Sequence, residues 1–406
     1  MGKSVLLLST ALSGGGAEYV SRVMASNIIG CRCVLFKKQP QSIPKTLRVQ
    51  YIPRFQSETV IAKIVQNIFR VIYVQIVKII LSPDVTISHL EGPNFTNMMT
   101  WGGGKKVVFV HNSANQNYFE KNVFNRAKKM LIRRLYYRAD QVVGVSTDVC
   151  KELIKDYQIC SDRVLFLPNP IDIENIEHLS NLNFGDWRDQ LLRFPFLLNV
   201  GSLTFQKNHE LLIKVFREAL RTYPELKLVL IGKGEREGII RDVCRKHGLL
   251  VCDGLTNKHR LDANVYMLGY QENPYPFLRH SKIFLMTSYW EGLPIALLES
   301  FCLGTPVVVS NCSSAIDNLM LGDHAQFETG HSQGYKKTKY GYLLSATKEK
   351  FEDDTIGFWS ECVTNLLVDD HFRDSCSVSA IEKSKEYDVR IVKKLWEKHL
   401  YSSVIG

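Results

Sequence analysis

The chain has 406 residues, which exceeds the usual size of one domain and suits two domains of about 200 residues each. Hydrophobic residues make up 45% and charged residues 23%, a composition that excludes a wholly disordered, collagen-like or small disulfide-stapled protein. The formal net charge is +10, and residues 1–190 carry nearly all of the excess, with 24 basic and 15 acidic side chains. A basic half beside a neutral half predicts that one domain meets an anionic surface or substrate.

Short apolar runs alternate with amphipathic stretches along the first half of the chain. The runs predict strands at residues 4–9, 33–36, 85–88, 106–110, 141–145 and 164–167. Helices are predicted between them, for example at residues 18–29 and 126–138. The N-terminal apolar run is too short for a signal peptide, so we expect a buried first strand and reduced cysteines in a cytoplasm.

The second half repeats this alternation. Its predicted strands lie at residues 196–200, 227–231, 265–268, 283–287 and 306–310, and its predicted helices at 209–221, 236–247 and 294–303. Alternating strands and helices predict an α/β protein with two Rossmann-like domains facing a cleft, and ligands at the carboxyl ends of the strands.

The domain limits expected from this pattern are 1–185 and 186–383. The first domain would bind the acceptor and the second the nucleotide donor of the reaction considered below. Residues 384–406 are expected to form a C-terminal helix that packs back on the first domain. Residues 250–262 and 329–340 show little pattern and are expected to be polar loops.

A glycine cluster, Ser13-Gly14-Gly15-Gly16-Ala17-Glu18, lies between the first predicted strand and the first predicted helix. Glycines there let backbone N–H groups approach a phosphate, and the N-terminus of a helix favours negative charge. The spacing differs from G-x-G-x-x-G, so a dinucleotide site is not supported. A plain tight turn is the equal alternative.

Two further glycine turns follow strands in the second half. The segment 201–209 places Lys207 at the start of a predicted helix, where an ammonium would stabilise a diphosphate. A surface lysine is the commoner fate of such a residue. The segment 231–235, Ile-Gly-Lys-Gly-Glu, has the same order of strand, turn and helix and by itself predicts only a turn.

Two carboxylates, Glu291 and Glu299, lie eight residues apart around a predicted helix start at Pro294. Glu299 is flanked by Leu297 and Phe301, and a carboxylate in apolar surroundings needs hydrogen-bond partners. Ribose hydroxyls would serve as such partners. The alternative is a pair of structural carboxylates that cap helices or bind arginine.

His111 directly follows the apolar strand predicted at 106–110, which places it at the carboxyl edge of a sheet, where ligands bind. A histidine satisfied by a backbone carbonyl is the alternative. The adjacent Asp353 and Asp354 belong to an acidic run and do not follow a strand. We therefore expect no metal site and no cofactor.

The order of these motifs resembles that of the retaining glycosyltransferases of family 4, which have the GT-B fold. The resemblance covers nearly the whole chain. It rests on the glycine turn 15–18, Pro168-Asn169-Pro170-Ile171-Asp172, the segment 201–208, Leu268-Gly269-Tyr270 with Asn273-Pro274, and Glu291 with Glu299 and the following residues 300–310.

The resemblance implies a role for each matching residue. The implied donor-binding residues are Gly15, Gly16, Ser202, Lys207, Tyr270, Glu291, Gly292, Leu293 and Glu299. Among them, Gly16 and Lys207 would hold the diphosphate and Glu299 the ribose, whereas Glu291 would hold hydroxyls of the transferred sugar. The implied catalytic residues are Lys207, Glu291 and His111, the last of which would lie by the reacting carbon or the acceptor.

One position departs from the family's pattern. The family often has an arginine where this chain has Ser202, five residues before Lys207. The resemblance therefore implies that one cation for the diphosphate is missing or supplied elsewhere, and that Lys207 carries more of the charge stabilisation.

Two segments of the first half carry cations and apolar residues but no acid. Residues 121–139 contain seven cations beside an apolar helical stripe, and residues 59–82 contain three cations beside a broad apolar arc. Such segments suit an anionic membrane surface, while the polar residues within 60–81 argue against a membrane span. The alternatives are a solvated helix for 121–139 and a buried core helix for 59–82.

The sequence thus predicts a retaining glycosyltransferase that moves a hexose or N-acetylhexosamine from a UDP-sugar to a lipid-linked glycan acceptor. By resemblance, the setting is bacterial surface polysaccharide or lipopolysaccharide synthesis, at the inner face of the cytoplasmic membrane. Two other functions stay open at this point. A non-hydrolysing sugar-nucleotide epimerase would share the architecture, and a nucleic-acid-binding protein would explain the basic charge but lacks a recognised binding module.

Overall fold

The computed structural model describes residues 4–38, 46–55, 59–111, 123–254, 261–322, 334–345 and 353–401, without the side chains of residues 123–128, 353 and 401. Within it the chain divides into two compact units. The first unit comprises Met1–Pro170 with Val389–Gly406, and the second comprises Ile171–Asp388. Of the predicted segments, residues 121–122, 255–260, 329–333 and 402–406 lie outside the described residues.

The sheet of the first unit is parallel between every pair of described neighbours. Its strands are β1 (Val5–Ser9), β2 (Arg32–Leu35), β3 (Arg48–Tyr51), β4 (Val85–His89), β5 (Lys105–Val110), β6 (Gln141–Gly144) and β7 (Val164–Phe166). Their order is β3-β2-β1-β4-β5-β6-β7. The order reverses direction between β1 and β4, so the carboxyl edge of these two strands is the switch point where a crevice opens.

The helices of the first unit connect these strands. They are α1 (Gly16–Asn27), α2 (Val60–Leu81), α3 (Glu91–Met99), α4 (Val123–Tyr136) and α5 (Thr147–Lys155). Strand β3 escaped prediction because it lies at the sheet edge, where Arg48 and Gln50 are exposed and the run is not apolar.

The sheet of the second unit is also parallel, except for one antiparallel strand at its edge. Its strands are β8 (Phe196–Val200), β9 (Lys227–Ile231), β10 (Val251–Asp253), β11 (Val265–Met267), β12 (Ile283–Met286), β13 (Val307–Asn311), β14 (Tyr335–Thr338) and β15 (Gly341–Ser345). Their order is β10-β11-β9-β8-β12-β13-β15-β14, so the switch point lies between β8 and β12.

The helices of the second unit cover both faces of this sheet. They are α6 (Ile173–Ser180), α7 (Trp187–Leu191), α8 (His209–Thr222), α9 (Glu237–Lys246), α10 (Tyr275–His280), α11 (Ile295–Cys302), α12 (Ser314–Leu321), α13 (Asp353–Val368) and α14 (Asp370–Ser384). Helix α6 packs on α10 and α11, which explains why residues 171–185 lie with the second unit and not with the first.

The core of the second unit shows why its strands read as continuous apolar runs. Phe196 and Leu198 of β8 lie in one apolar cluster, and Leu197 between them lies in another. Successive strand side chains point to opposite faces, and both faces are covered.

The predicted loops at 250–262 and 329–340 were partly wrong, because residues 251–253 and 335–338 are strands of the second sheet. These two strands are short and lie at opposite edges of the sheet. In β14, Lys336 and Lys337 are exposed, so neither an apolar run nor an apolar face marks the strand in the sequence.

Of the predicted C-terminal segment 384–406, Val389–Gly406 lies with the first unit, whereas residues 384–388 lie with the second. Helix α15 (Val389–Trp396) packs on α1 and continues as a π-helical turn, Glu397–Tyr401. Trp396 is buried, and Lys105 Nζ donates a hydrogen bond of 3.0 Å to His399 O.

Helix α2 is not the buried core helix that was one alternative for residues 59–82. Its outward face is a row of exposed aliphatic side chains, called here the isoleucine stripe: Val60, Ile61, Ile64, Val65, Ile68, Ile72, Ile76, Ile79 and Ile80. By length and composition α2 is the one described helix apolar enough to cross a membrane. Side chains of the helix attach it to the protein: Gln66 bonds the backbone of Pro53 and Phe55, and Gln75 bonds the backbone of Trp101.

The inner face of α2 also buries a lysine. Lys78 is 2% exposed, and its Nζ donates to Asn97 Oδ1 of α3 at 2.8 Å. Burial, with a smaller contribution from Lys106, lowers the pKa of Lys78 to about 7. The unfolded chain, with a lysine pKa of about 10.4, therefore binds a proton that the folded chain releases between these values. Stability from Lys78 rises with pH across this window.

We expect Lys78→Met to remove this part of the pH dependence. Relative to the variant, the wild-type protein should gain about 1 kcal/mol of unfolding free energy per pH unit between about pH 7.5 and 9.5. Urea unfolding of both proteins across this range measures the difference. Lys63→Met, an exposed lysine of the same helix, is the control and should leave the slope unchanged. Equal slopes for wild type and Lys78→Met would contradict the assignment.

Candidate functional site

The loops that follow β8 and β12 meet at the switch point of the second sheet. Two hydrogen bonds join them: Tyr289 N donates to Gln206 O at 2.8 Å, and Thr287 Oγ1 donates to Asn208 O at 2.9 Å. The sequence motifs at 201–209 and 288–299 therefore come together in space.

The centre of this junction is an ion pair between Lys207 and Glu291. Lys207 Nζ lies 2.5 Å from Glu291 Oε1, and the two side chains are only 15% and 6% exposed. Gln206 Nε2 donates to Glu291 Oε2 at 3.2 Å and to Trp290 O at 2.7 Å. Both oxygens of a nearly buried carboxylate are thus satisfied, as burial requires. The sequence predicted both Lys207 and Glu291 as site residues but not their contact, nor the part of Gln206.

The N-terminus of α8 lies directly beside this ion pair. Asn208, with φ +50°, caps the helix by accepting a hydrogen bond from Leu211 N. The next residue, His209, is buried, and burial lowers its pKa to about 3, with further lowering by the cations Lys207 and Arg236. The N-terminus of this 14-residue helix and the two cations form a positive corner, in which Glu291 and Glu210 pair with the cations and the end of the helix favours an anion.

The second cation of this corner comes from a neighbouring strand. Ser202, where the resemblance implies an arginine, is exposed and brings no charge. Arg236 enters from the loop after β9: its backbone N donates to Leu203 O at 3.0 Å, and its guanidinium pairs with Glu210. The same guanidinium lies 5.4 Å from the ring centroid of Phe205. Arg236 therefore brings a cation, paired with Glu210, to the first turn of α8.

Close packing of two loops explains why the segment 231–235 contains two glycines. A Cβ on Gly232 would lie 1.8 Å from Gly201 O, and a Cβ on Gly234 would lie 2.2 Å from Leu203 O. Only glycine permits the loops after β8 and β9 to approach this closely. This contact brings Arg236 to the corner.

Glu299 occupies the second turn of α11, which begins at Ile295, one residue after Pro294. Its Oε1 accepts a hydrogen bond of 3.0 Å from Tyr275 OH, and the residue is 6% exposed. Tyr275 was not predicted, although it directly follows the Asn273-Pro274 motif. Tyr270, predicted to face the nucleotide, is half-buried in the loop after β11, which lies two strands from β8.

The backbone at Gly292 and Leu293 is held in place by the next strand and helix. Ser313, the N-cap of α12, donates to Gly292 O at 3.0 Å, and Ser310 Oγ donates to Ser288 O at 2.6 Å. Leu293 is buried. The loop after β12 is therefore anchored at both ends.

At the switch point of the first sheet, the glycine cluster forms the start of α1. Gly14 has φ +113°, and Gly15, the N-cap, brings no side chain to cap the first turn. The carboxylate of Glu18 lies at the mouth of this turn, since a Cβ on Gly15 would be 2.7 Å from Glu18 Oε2. Burial raises the pKa of Glu18. An anion that binds the amides of Gly15 and Gly16 would have to share the turn with this carboxyl group.

His111 lies at the carboxyl end of β5, as predicted, but its ring faces a second histidine. His89 Nδ1, from the end of the adjacent strand β4, lies 2.9 Å from His111 Nε2, and both residues are buried. Burial lowers the pKa of His111 to about 4 and that of His89 well below its usual value. The pair is therefore neutral near pH 7. His89 was missed, although it follows a strand in the same way as His111.

Within the described residues, no group of three His, Cys, Asp or Glu side chains is arranged to hold a metal ion. The ten cysteines are all unpaired thiols. Asp354 is exposed in the first turn of α13.

Two family models match the chain and together cover well over half of it. Residues 36–175 match the model described as Glycosyltransferase Family 4, and residues 186–324 match the model described as Glycosyl transferases group 1. The match of the second model contains Lys207, Glu291 and Glu299.

Several known proteins are similar to the chain over most of their length. An uncharacterized glycosyltransferase of Methanocaldococcus jannaschii is 25% identical, over 80% of this chain and 81% of the relative. The N-acetylgalactosamine-N,N'-diacetylbacillosaminyl-diphospho-undecaprenol 4-alpha-N-acetylgalactosaminyltransferase of Campylobacter jejuni is 27% identical, over 76% of this chain and 73% of the relative. The crystal structure of Anabaena HepE in complex with UDP-glucose superimposes with a TM-score of 0.71 at 15% identity, over 98% of this chain and 100% of HepE. The chain therefore belongs to the group 1 glycosyltransferases of family 4, and its two parallel α/β sheets have the GT-B fold.

Proposed function

We propose that the protein is a retaining glycosyltransferase that transfers a hexose or N-acetylhexosamine from a UDP-sugar to a lipid-linked saccharide. The observation that carries the proposal is the Lys207–Glu291 pair beside the N-terminus of α8. It combines a positive corner for a diphosphate with a carboxylate for sugar hydroxyls. The name of the Campylobacter relative describes transfer to a diphospho-undecaprenol acceptor, and HepE was crystallised with UDP-glucose.

In this proposal the second unit binds the donor and the first unit the acceptor. Lys207 and Arg236 would neutralise the diphosphate at the start of α8. Glu299, already held by Tyr275, would accept hydrogen bonds from the ribose. Glu291 and the anchored backbone at 292–293 would bind the transferred sugar.

The geometry argues for attack on the same face of the sugar that the diphosphate leaves. A two-step retaining route needs a carboxylate nucleophile under the anomeric carbon. Both oxygens of Glu291 are engaged, by Lys207 and Gln206, and Glu299 is engaged by Tyr275. We therefore propose that the departing phosphate oxygen takes the proton of the acceptor hydroxyl while the new bond forms. Lys207 would stabilise the charge that grows on this phosphate.

The reaction itself is tested by its product. Incubating the protein with UDP-glucose, UDP-galactose and their N-acetylamino analogues plus a bacterial lipid extract should yield one glycosylated lipid by mass spectrometry. Proton NMR of that product should show the anomeric configuration of the donor, and EDTA should leave the rate unchanged. An inverted linkage, or activity abolished by EDTA and restored by Mg²⁺, would overturn the mechanism. Epimerised donor without transfer would overturn the function.

Lys207→Gln is expected to lower kcat by about a hundredfold or more, because a cation beside a leaving diphosphate acts mainly in the transition state. The measurement is the steady-state rate with saturating donor, together with a thermal unfolding curve to confirm folding. Lys246→Gln, an exposed lysine at the end of α9, is the control. Turnover of Lys207→Gln within a few-fold of the control would refute the role.

We further propose that the first unit binds the cytoplasmic face of a membrane and that the isoleucine stripe of α2 enters the leaflet. The stripe runs along a helix of 22 residues, which at about 1.5 Å per residue is about 33 Å long. Gln66, Gln75 and Lys78 bond the helix to the protein along its length, so the helix would lie in the plane of the interface and not cross it.

Exposed cations on another helix of the first unit would favour binding to anionic lipid. Helix α4 exposes Met130 and Leu131 beside Arg133 and Arg134, an arrangement suited to headgroups and acyl chains together. Apolar insertion would supply binding that survives salt, and the arginines would supply preference for negative charge.

Replacing Ile68, Ile72 and Ile76 together by serine should therefore reduce binding to all vesicles by about tenfold or more, because less apolar surface leaves water. Replacing Arg133 and Arg134 together by serine should reduce binding only to vesicles that contain phosphatidylglycerol, and only at low salt. Co-sedimentation with phosphatidylcholine vesicles, with and without phosphatidylglycerol, separates the two effects. Unchanged sedimentation of the serine variant of α2 would contradict insertion of the stripe.

A further inference from the structure

The carboxyl edge of the first sheet holds two histidines whose roles differ. His89 ends β4 and is wholly buried, whereas His111 follows β5 and is 9% exposed. The strands are adjacent and parallel, so the two rings lie on neighbouring positions of one edge. Their centroids are 5.2 Å apart, and His89 also stacks on Phe109 at 4.6 Å.

The hydrogen bond between the rings couples their protons. Two neutral imidazoles carry two N–H groups, and the 2.9 Å contact between His89 Nδ1 and His111 Nε2 takes one of them. The other must lie on an outer nitrogen, either His89 Nε2 or His111 Nδ1. Both outer nitrogens are buried and have no hydrogen-bond partner among the described residues.

The surroundings of the two outer nitrogens decide where the second proton lies. A buried N–H group without an acceptor is rare in proteins. His89 is wholly buried, so an N–H on its Nε2 would stay without a partner when a ligand binds. Although the Nδ1 atom of His111 is also covered, His111 is 9% exposed at the edge where ligands bind, so it is the residue of the pair that a ligand meets.

We propose that His89 is a positioning residue: its Nδ1–H donates to His111 Nε2 and thereby fixes the proton of His111 on Nδ1. His111 then presents an N–H donor to an oxygen atom of a substrate, such as a saccharide hydroxyl or a phosphate oxygen. It does not present a base. The expected effect on turnover rests on the glycosyl transfer proposed above, whereas the assignment of the His111 proton to Nδ1 does not.

Backbone strain next to His89 supports a functional role for this position. Leu90 has φ +70° and ψ 157°, a conformation that residues with side chains rarely adopt. Strain of this kind persists where surrounding structure over-determines the chain and is concentrated at functional sites. In this chain the strain lies at Leu90, where the chain leaves β4 directly after His89.

The chain offers a matched pair of substitutions. In His89→Asn, the side-chain amide nitrogen can occupy the position of Nδ1 and still donate to His111. In His89→Leu, a methyl group occupies that position and donates nothing. Both variants lose the ring and its stacking on Phe109, and a merely structural role would be damaged at least as much in His89→Asn, which buries an amide, as in His89→Leu.

The primary measurement is the ring ¹⁵N NMR spectrum of the full-length protein with labelled histidine, with His111→Gln identifying the His111 signals. We expect the wild-type protein and His89→Asn to show His111 protonated on Nδ1, and His89→Leu to lose that state. In the transfer assay, kcat should stay within about threefold in His89→Asn and fall about tenfold or more in His89→Leu. Affinity for UDP should be unchanged in both.

Protonation of wild-type His111 on Nε2, or the same tautomer in the Asn and Leu variants, would overturn the proposal. Equal loss of turnover in both variants would reduce His89 to a packing residue and would also overturn it. A wild-type protein that shows the Nδ1–H tautomer but transfers no sugar would refute the proposed function and leave the proton assignment standing.

Discussion

The reversal of strand order between β8 and β12 is the constraint on which the candidate site depends. Parallel strands deliver their carboxyl ends to one edge, and a reversal lets loops from distant parts of the chain meet there without a helix between them. Lys207 and Glu291 are 84 residues apart in sequence and 2.5 Å apart in space for this reason. The contacts of Gln206 and Arg236 hold the loops that carry this pair.

The ion pair also sets the electrostatic character of the site. A nearly buried lysine and carboxylate are tolerable only because each satisfies the other and an amide completes the set. The side-chain charges of the corner balance, because Lys207 pairs with Glu291 and Arg236 pairs with Glu210, and the N-terminus of α8 adds its positive end. In the proposed donor complex, the cations would face the diphosphate and Glu291 would face the sugar hydroxyls.

In the first unit, the carboxyl edge of the sheet carries neutral side chains and not an ion pair. Its histidine pair is neutral because it is buried, and it lies near a glycine turn that Glu18 shares. Such an edge is better suited to hydrogen bonding of hydroxyls than to binding of charge. The exposed cations Arg133 and Arg134 lie on helix α4, and the exposed aliphatic side chains form the isoleucine stripe of α2. A neutral sheet edge that is separate from basic and aliphatic helices fits the proposed acceptor, which has a polar saccharide and a lipid.

The sequence alone determined the fold class, because parallel strands buried on both faces leave continuous apolar runs such as 5–8 and 196–198 between amphipathic helices. It also pointed to His111, Lys207 and Glu291, which follow strands in recognisable motifs, and to Glu299, a carboxylate within an apolar helix. Only the tertiary structure decided which of these residues touch. The pairs Lys207 with Glu291, Tyr275 with Glu299, and His89 with His111 arise from strand order and loop packing, which local periodicity does not encode. The same holds for α2: its pattern of isoleucines is equal in a core helix and a surface helix, and only the packing of its neighbours shows that the stripe is left uncovered.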